Sequence, residues 1–292
     1  MKPAPFEYYA ARSLEEALKL LQEFGSDARV LAGGQSLVPI MNMRLARPQR
    51  IIDINHAAEL DYLKVEEEIL SIGALTRHRT IERSEIVAAA CPLLSQAVRF
   101  LGHPQVRTRG TVGGSVVHAD PAAEYPVVIA ALDGEIVVQS VRGQRMVGWR
   151  QFFLGHYSVD LEPDEIVVEI RLRRPNCQNA CAFIEISRRH GDFAIVETAV
   201  QMEQDDTGRC SGVSIALGGV GGTPVRAAAA ENSLKGQVPN ANVVQRAASL
   251  AAQDLEPDDD VHATSQYRKS MASLLVARAL ERSVRTVVES GL

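Results

Sequence analysis

Ala32-Gly33-Gly34-Gln35-Ser36 and Thr111-Val112-Gly113-Gly114-Ser115 are the two stretches whose reading decides the fold. Each follows an extended or turn-like segment, and each joins two glycines to a hydroxyl residue. Consecutive glycines let the backbone turn its N–H groups toward one point and let a ligand approach with no Cβ in the way. A concave array of N–H dipoles is an anion site, and a helix starting just beyond it adds its positive end. Ser36, Thr111 and Ser115 add hydroxyl donors. Two such loops together would grip a pyrophosphate from both sides without a lysine. Taken singly, a Gly-Gly pair is more often a plain turn. The pairing and its setting raise it above that. Leu101-Gly102-His103-Pro104-Gln105-Val106-Arg107-Thr108-Arg109-Gly110 leads into the second loop, and His118-Ala119-Asp120-Pro121-Ala122-Ala123-Glu124 leads out of it.

Other nucleotide motifs fail. No G-x4-G-K-[ST] run exists, which excludes a P-loop. Gly218-Gly219-Val220-Gly221-Gly222-Thr223-Pro224 nearly spells G-x-G-x-x-G, but Pro224 takes the place of the last glycine. No acidic residue follows at a suitable distance on a strand, so the cluster reads as a strand-to-turn corner.

Outward from the loops, Ser13–Phe24 has the pattern of a short amphipathic helix, with Ser13 as N-cap, Glu16 completing a capping box and Gly25 as the stop. A strand at Arg29-Val30-Leu31 precedes the first loop, Pro39 sits in a first helical turn, and Arg50–Ile54 reads as another strand. The first fifty-odd residues thus predict a small β-α-β-α-β unit. Residues 66–75, 134–140 and 164–172 read as short strands and 81–101 as helix, with a boundary at Pro175-Asn176. Beyond it, ACAFIEI, AIVETAVQMEQ and CSGVSIALGGV read as strands and 241–254 and 263–289 as helices, an α+β pattern. Three units are expected: residues 1–54, 55–176 and 177–292. No repeat with a period of roughly 20–50 residues is present.

With 292 residues, 46% hydrophobic and 23% charged, the chain is long enough for a sizeable core and has no disordered bias. A net charge of −5 without like-charge blocks argues against nucleic acid or an anionic membrane as partner. The N-terminus MKPAPFEYYAARSLEEAL has no uninterrupted apolar core, and no run of about 18 apolar residues exists, so a cytoplasmic protein without direct membrane insertion is expected. Cys91, Cys177, Cys181 and Cys210 are too few and scattered for a disulfide framework. Cys177 and Cys181 are spaced C-x3-C, no C-x2-C occurs, and an iron–sulfur cluster needs four well-placed thiolates. They read as reduced thiols with no metal. A redox centre here would be organic.

Loop sequence and spacing together resemble the FAD-binding medium subunit of the molybdenum hydroxylases, the group that includes carbon monoxide dehydrogenase and xanthine dehydrogenase. Leu31–Pro39 is similar to that family's first FAD loop, and Arg109–Ser115 with His118–Pro121 to its second. Arg188–Ala194, and Gly218-Gly219-Val220 with Pro224–Ala227, resemble two further family segments in the same order. The resemblance implies an α+β protein with the vanillyl-alcohol-oxidase-type (PCMH) FAD-binding fold, two α/β subdomains clasping FAD and a C-terminal α+β domain completing the pocket. It implies that Val30, Leu31, Ala32, Gly33, Gly34, Gln35, Ser36 and Leu37, with Thr111, Val112, Gly113, Gly114 and Ser115, hold the cofactor chiefly through its pyrophosphate. Leu101 matches an apolar position near the adenine end, Glu124 an acidic position more often Asp, and Ile166 and Val167 an apolar wall. Phe193 matches an aromatic position beside the flavin ring, Asp192 precedes it, and His78 is a further pocket candidate. Glu185 stands where some relatives carry a lysine that approaches the flavin. On burial alone Leu101, Ile166 and Val167 are core residues, and Asp192 is equally a backbone cap.

By the same resemblance the FAD is non-covalent, molybdopterin and two [2Fe–2S] clusters sit on a large and a small partner subunit, and an external acceptor takes the electrons. The cofactor carries the chemistry and the protein positions it. The sequence shows neither Ser-His-Asp logic nor a metal site, so no catalytic residue is assigned. Two rival classes stay open. An autonomous FAD oxidase of the same superfold would need a substrate-side base, and a nucleotide-sensing module would show no flavin spectrum.

Overall fold

The structure, a computed structural model, describes residues 2–175 and 180–290, with side chains to residue 284. The first unit runs β1 (Glu7–Ala10), α1 (Leu14–Phe24), β2 (Ala28–Leu31), α2 (Leu37–Asn42) and β3 (Arg50–Asp53). It is the expected β-α-β-α-β unit, closed as a three-stranded parallel sheet in the order β1-β3-β2. Ser13 Oγ accepts from Glu16 N at 3.2 Å, while the Glu16 carboxylate reaches back to Arg12 N at 2.8 Å, one residue before the cap. Gly25 ends α1 in the left-handed region at φ 53°, where a side chain is disfavoured.

The middle of the chain is built on a five-stranded sheet. Its elements are β4 (Leu63–Glu66), β5 (Ile69–Gly73), α3 (His78–Arg83), α4 (Glu85–Ala90), α5 (Pro92–Ala97), α6 (Pro104–Arg109), α7 (Val112–His118) and α8 (Glu124–Ala131). After these come β6 (Glu135–Ser140), β7 (Gly143–Gly148), α9 (Trp149–Phe152), the small hairpin β8 (Phe153–Gly155) and β9 (Ser158–Val159), and β10 (Ile166–Arg173). The sheet order is β4-β5-β10-β6-β7, all pairs antiparallel. The helix expected over 81–101 is divided. Ser84 Oγ caps a new helix by accepting from Val87 N at 3.2 Å, and Pro92, with no N–H to give, opens a third after Cys91. The strand expected over 66–75 is a hairpin, β4 turning into β5.

The last unit has β11 (Cys181–Ser187), β12 (Ala194–Gln204), β13 (Cys210–Gly218) and β14 (Val225–Arg226), then α10 (Ala228–Leu234), α11 (Ala241–Gln253) and α12 (Ser265–Ser290). Its strands form one antiparallel sheet in sequence order, with the three helices on one face. The opposite face is not solvated. Phe183, Ala199 and Ala216 belong to the same apolar core as Leu70, Val128 and Val138 of the middle unit. The first unit joins the middle sheet in the same way, through Ile166, Val168 and Val137 packed with Leu18 and Ile52. Cys91, Cys181 and Cys210 are buried, and burial pushes the Cys91 and Cys210 thiols up, to about 12 and about 11. Cys177 lies outside the described residues. No helix among the described residues is long and apolar enough to cross a membrane.

Arg226 ties the last unit to the middle one. Its guanidinium donates to Glu231 at 2.6 and 3.0 Å, to Ser214 at 3.0 Å, and across the junction to Ala130 O and Asp133 at 3.0 Å each. Glu231 also accepts from Ile215 N at 2.8 Å. Removing one partner of so buried a pair leaves an uncompensated charge, so Arg226→Ala should destabilise the chain by about 3–5 kcal/mol. Urea unfolding followed by circular dichroism measures this; a loss under about 1 kcal/mol, the range of an exposed pair, contradicts it.

Candidate functional site

The first glycine loop begins where β2 ends. Gly34 has φ +71°, and a Cβ there would meet the Leu31 and Val38 side chains at 3.1 and 3.2 Å. Gly33 is tighter still. A Cβ would lie 2.5 Å from the Arg109 carbonyl oxygen and 2.7 Å from the Gly110 Cα. Only glycine lets this loop press on the chain that enters the second loop. Asn55 and Arg77 then bolt the two together. Asn55 Nδ2 donates to Ala32 O at 2.8 Å, Arg77 donates to Asn55 Oδ1 at 2.7 Å, and Arg77 also donates to Arg109 O. The turn spends its carbonyls internally: Gly34 O accepts from Val38 N, Ser36 O from Ile40 N, and Gly33 O from Gln35 Nε2. Among the described residues, no acceptor meets the amides of Gly33, Gly34, Gln35, Ser36 or Leu37. Val30, Leu31 and Ala32 lie half-buried behind them.

The second loop is built differently, and here the expectation of two matching N–H arrays is corrected. Val112 N donates to Thr76 O at 3.0 Å, Gly113 N to Ala74 O at 2.9 Å, Gly114 N to Thr111 Oγ1 at 3.2 Å and Ser115 N to Thr111 O at 3.1 Å. The first two amides hold the loop on the chain that leaves β5, and the other two close onto Thr111 within the loop. Gly113 is there for packing, since a Cβ would sit 2.6 Å from that of Ala74. What this loop offers outward is the exposed Gly114 and the half-buried Ser115.

His78 supports the loop from beneath. It is 4% exposed, its N–H donates to Gly110 O, its Nδ1 lies 3.0 Å from the Tyr125 hydroxyl, and Gly110 has no room for a Cβ beside its Nε2. Burial, with Arg77 and Arg107 nearby, pushes its pKa down to about 3, so the ring is neutral. The side chains of Leu101, Val112 and Val167 belong to the middle core, and Ile166 to the core that Val30 and Ala32 cover.

Asp192 and Phe193 are brought together with a different set. They line a cavity of about 560 Å³ with Asp120, His156, Tyr157 and Arg188, while neither glycine loop reaches it. Phe193 is 62% exposed at the rim, and Asp192 pairs with Arg189 at 2.9 Å. Tyr157 of the wall, at φ 53°, and the buried Ala119 just before Asp120, at φ 48°, both lie in the left-handed region. Tyr157 N donates to Ala119 O at 3.1 Å, and its hydroxyl to Asp120 Oδ2 at 3.2 Å. Strain of this kind collects at functional sites.

Behind that wall stand three carboxyls. Glu124 opens α8 and is 5% exposed, while Glu185 on β11 lies in register with Glu197 on β12. Burial, with Glu185 and Asp120 adding repulsion, pushes Glu124 up to about 8; burial also takes Glu185 to about 7. Glu197 is 0% exposed and held well above the ordinary carboxyl range by burial, then by Glu124, Glu185 and Asp120. Asn55, Arg77, Asp120, Tyr157 and Glu197 are absent from the sequence-derived set. Asn55 and Glu197 carried a signal, a polar residue straight after an apolar strand and an acid in the middle of one.

Comparison with known proteins places this geometry. Residues 4–175 match the family model "FAD binding domain in molybdopterin dehydrogenase", and residues 181–283 match "CO dehydrogenase flavoprotein C-terminal domain". The chain is 40% identical to 6-hydroxypseudooxynicotine dehydrogenase complex subunit alpha of Paenarthrobacter nicotinovorans, over 97% of this chain and 96% of the relative. It is 38% identical to caffeine dehydrogenase subunit beta of Pseudomonas sp. (strain CBB1), over 99% and 98%. A solved chain of carbon monoxide dehydrogenase from Hydrogenophaga pseudoflava superposes with a TM-score of 0.94 at 39% identity, covering 98% of this chain and 99% of that one.

Two outcomes follow from the packing. Gly33→Ala forces the loops apart and should weaken FAD binding by at least about tenfold, the effect of roughly 1.4 kcal/mol. Gly155→Ala, whose Cβ would meet nothing within 4 Å, serves as the control. Quenching of flavin fluorescence reads both, and equal affinities would contradict the loop geometry. The second outcome concerns pH. Unfolding releases the protons that the raised carboxyls keep, so the FAD-free chain should lose stability as pH rises from about 5 to about 8. Glu197→Gln should flatten that fall in the urea midpoint.

Proposed function

The chain belongs to the FAD-binding medium subunits of the molybdenum hydroxylases, and from that membership we propose that it binds one FAD without a covalent link and relays electrons within a larger oxidoreductase. The observation that carries the reading is the set of five amides, Gly33 to Leu37, that no acceptor among the described residues meets. Gln35 is exposed and the other four residues are half-buried, and five free N–H groups on one turn suit a diphosphate. The spacing fits the group as well, because Gly33 lets the first loop close onto the Arg109–Gly110 backbone and Gly114 leaves the start of α7 without a side chain against Thr111. The first loop would bind the pyrophosphate through its backbone and the second through Ser115, while Asn55 and Arg77 fix the gap between them. The cavity by Phe193 would take the flavin end, with Tyr157 and Asp120 as its polar wall. Residues 1–54 and 55–176 would form the two halves of the clasp and 177–292 its third side.

When bound, FAD supplies the capacity to accept an electron pair and pass it on. The protein orients it, shields it and sets its electrostatics. The electron source in this reading is a small [2Fe–2S] subunit, fed by a large molybdopterin subunit that oxidises the substrate. The relatives bear names of different substrates yet match this chain nearly end to end, which supports placing substrate choice on another subunit.

The purified chain should bind FAD in preference to FMN, which lacks the pyrophosphate, and release it intact on acid precipitation. It should accept electrons from an artificial reductant, and from its native source it should travel with iron and molybdenum. Isolation as a free flavoprotein that oxidises its own substrate would refute the relay.

A further inference from the structure

The inner face of the C-terminal sheet carries a group that the flavin reading leaves unused. Glu197 sits mid-strand in β12, wholly buried, and among the described residues neither of its carboxyl oxygens has a hydrogen-bond partner. Each element packed on it contributes its own surroundings. Glu185 faces it from β11, with one oxygen also unpartnered. Gly218 of β13 comes so close to Glu197 Oε1 that no Cβ fits, and Val127 of α8 closes the same spot. Glu124 approaches from the start of α8 and Asp120 from the loop before it, both adding negative charge. Arg107 of α6 is the cation whose field reaches Glu124, and it is already bonded to Glu82 at 3.2 Å and to the Leu101 and Gly102 carbonyls. The carboxyls are not arranged to share a metal ion; among the described residues no group of three His, Cys, Asp or Glu is.

We propose that Glu185 and Glu124, packed against the buried acid Glu197, form a redox-linked proton site, loading protons from solvent as electrons arrive on the flavin and returning them as the electrons leave. The inference rests on the FAD reading above. A carboxylate with no donor in a dry interior is strongly disfavoured, so Glu197 is held as the acid. Glu185 and Glu124, raised to about 7 and about 8, are only part-loaded near neutral pH. Electrons delivered one at a time by the partner's iron–sulfur clusters would add negative charge at the cavity that Asp120 lines. Like charge raises a carboxyl's proton affinity, so one carboxylate takes a proton from solvent and forms an O–H bond. When the acceptor removes the electrons, that O–H bond breaks and the proton returns to solvent. Asp120 offers the way in, since it lines the cavity, bonds to the Tyr157 hydroxyl and acts on both Glu124 and Glu197. Gly219, next to Gly218, lines the same cavity. The coupling is reciprocal, so proton loading must raise the flavin's affinity for electrons.

The test is the pH dependence of the FAD midpoint potential in the whole FAD-loaded chain, titrated spectroelectrochemically from about pH 6 to about pH 9, with Glu197→Gln and Glu185→Gln beside the wild type. The bound-flavin spectrum shows that each is loaded. The wild type should take up more protons per electron pair than Glu185→Gln, by up to about one, across the interval where the carboxyls titrate, while Glu197→Gln, the neutral counterpart of the acid already held, keeps the wild-type slope. A residue that only packs would leave that slope unchanged. If Glu197→Gln fails to fold, Glu185→Gln alone decides. Loaded wild-type and Glu185→Gln chains with identical slopes overturn the proton site and leave the FAD reading standing. A wild-type chain that binds no flavin overturns both.

Discussion

Gly33 against the Arg109–Gly110 backbone is the contact on which the molecule turns. At that separation no other residue fits, so the parallel first unit and the antiparallel middle unit meet backbone to backbone. Side-chain packing supplies the strength of the junction, through Ile52, Ile166 and their neighbours. It does not supply the gap. The gap comes from the missing Cβ, held by the Asn55–Arg77 pair that spans it. Five unused amides on one side and a serine hydroxyl on the other follow from that spacing. The two loops are alike in sequence and unlike in work. Among the described residues one leaves its donors without a protein acceptor, and the other spends its own, two on Thr76 and Ala74 and two on its own Thr111.

Electrostatics divide along the same line. The glycine junction holds Arg77 and a neutral His78, pressed toward neutrality by burial and by the two neighbouring arginines. The cavity side holds acids, with Asp120, Glu124, Glu185 and Glu197 crowded at the start of α8 and the inner face of the last sheet. The glycine junction thus tolerates an anion, while the acids beside the cavity hold protons.

Much of this was legible in the residues. The β-α-β-α-β unit follows from caps, a stop glycine and short apolar runs, all local signals. The pairing of the loops follows from their matching composition. Long-range facts were not legible. Ser84 and Pro92 break the helix over 81–101, and each has a local signature that the apolar run outweighed. That the second loop's amides are spent depends on Ala74 and Thr76, distant in sequence and not distinctive in type. Glu197 announces itself only as an acid inside AIVETAVQMEQ; that it faces Glu185 depends on strand register, which pattern alone does not set.

The apolar core shared between the middle sheet and the last one carries a consequence for cooperativity. Phe183, Ala199 and Ala216 share one core with Leu70 and Val138, joined through α5 and α8, so the last sheet has no private interior on that face. Detaching it would wet both partners at once. Slow amide exchange should therefore reach its ceiling together in β10 and β12, although the two strands lie in different sheets. A bound nucleotide at the far glycine junction would then protect the backbone of the whole chain as a single block.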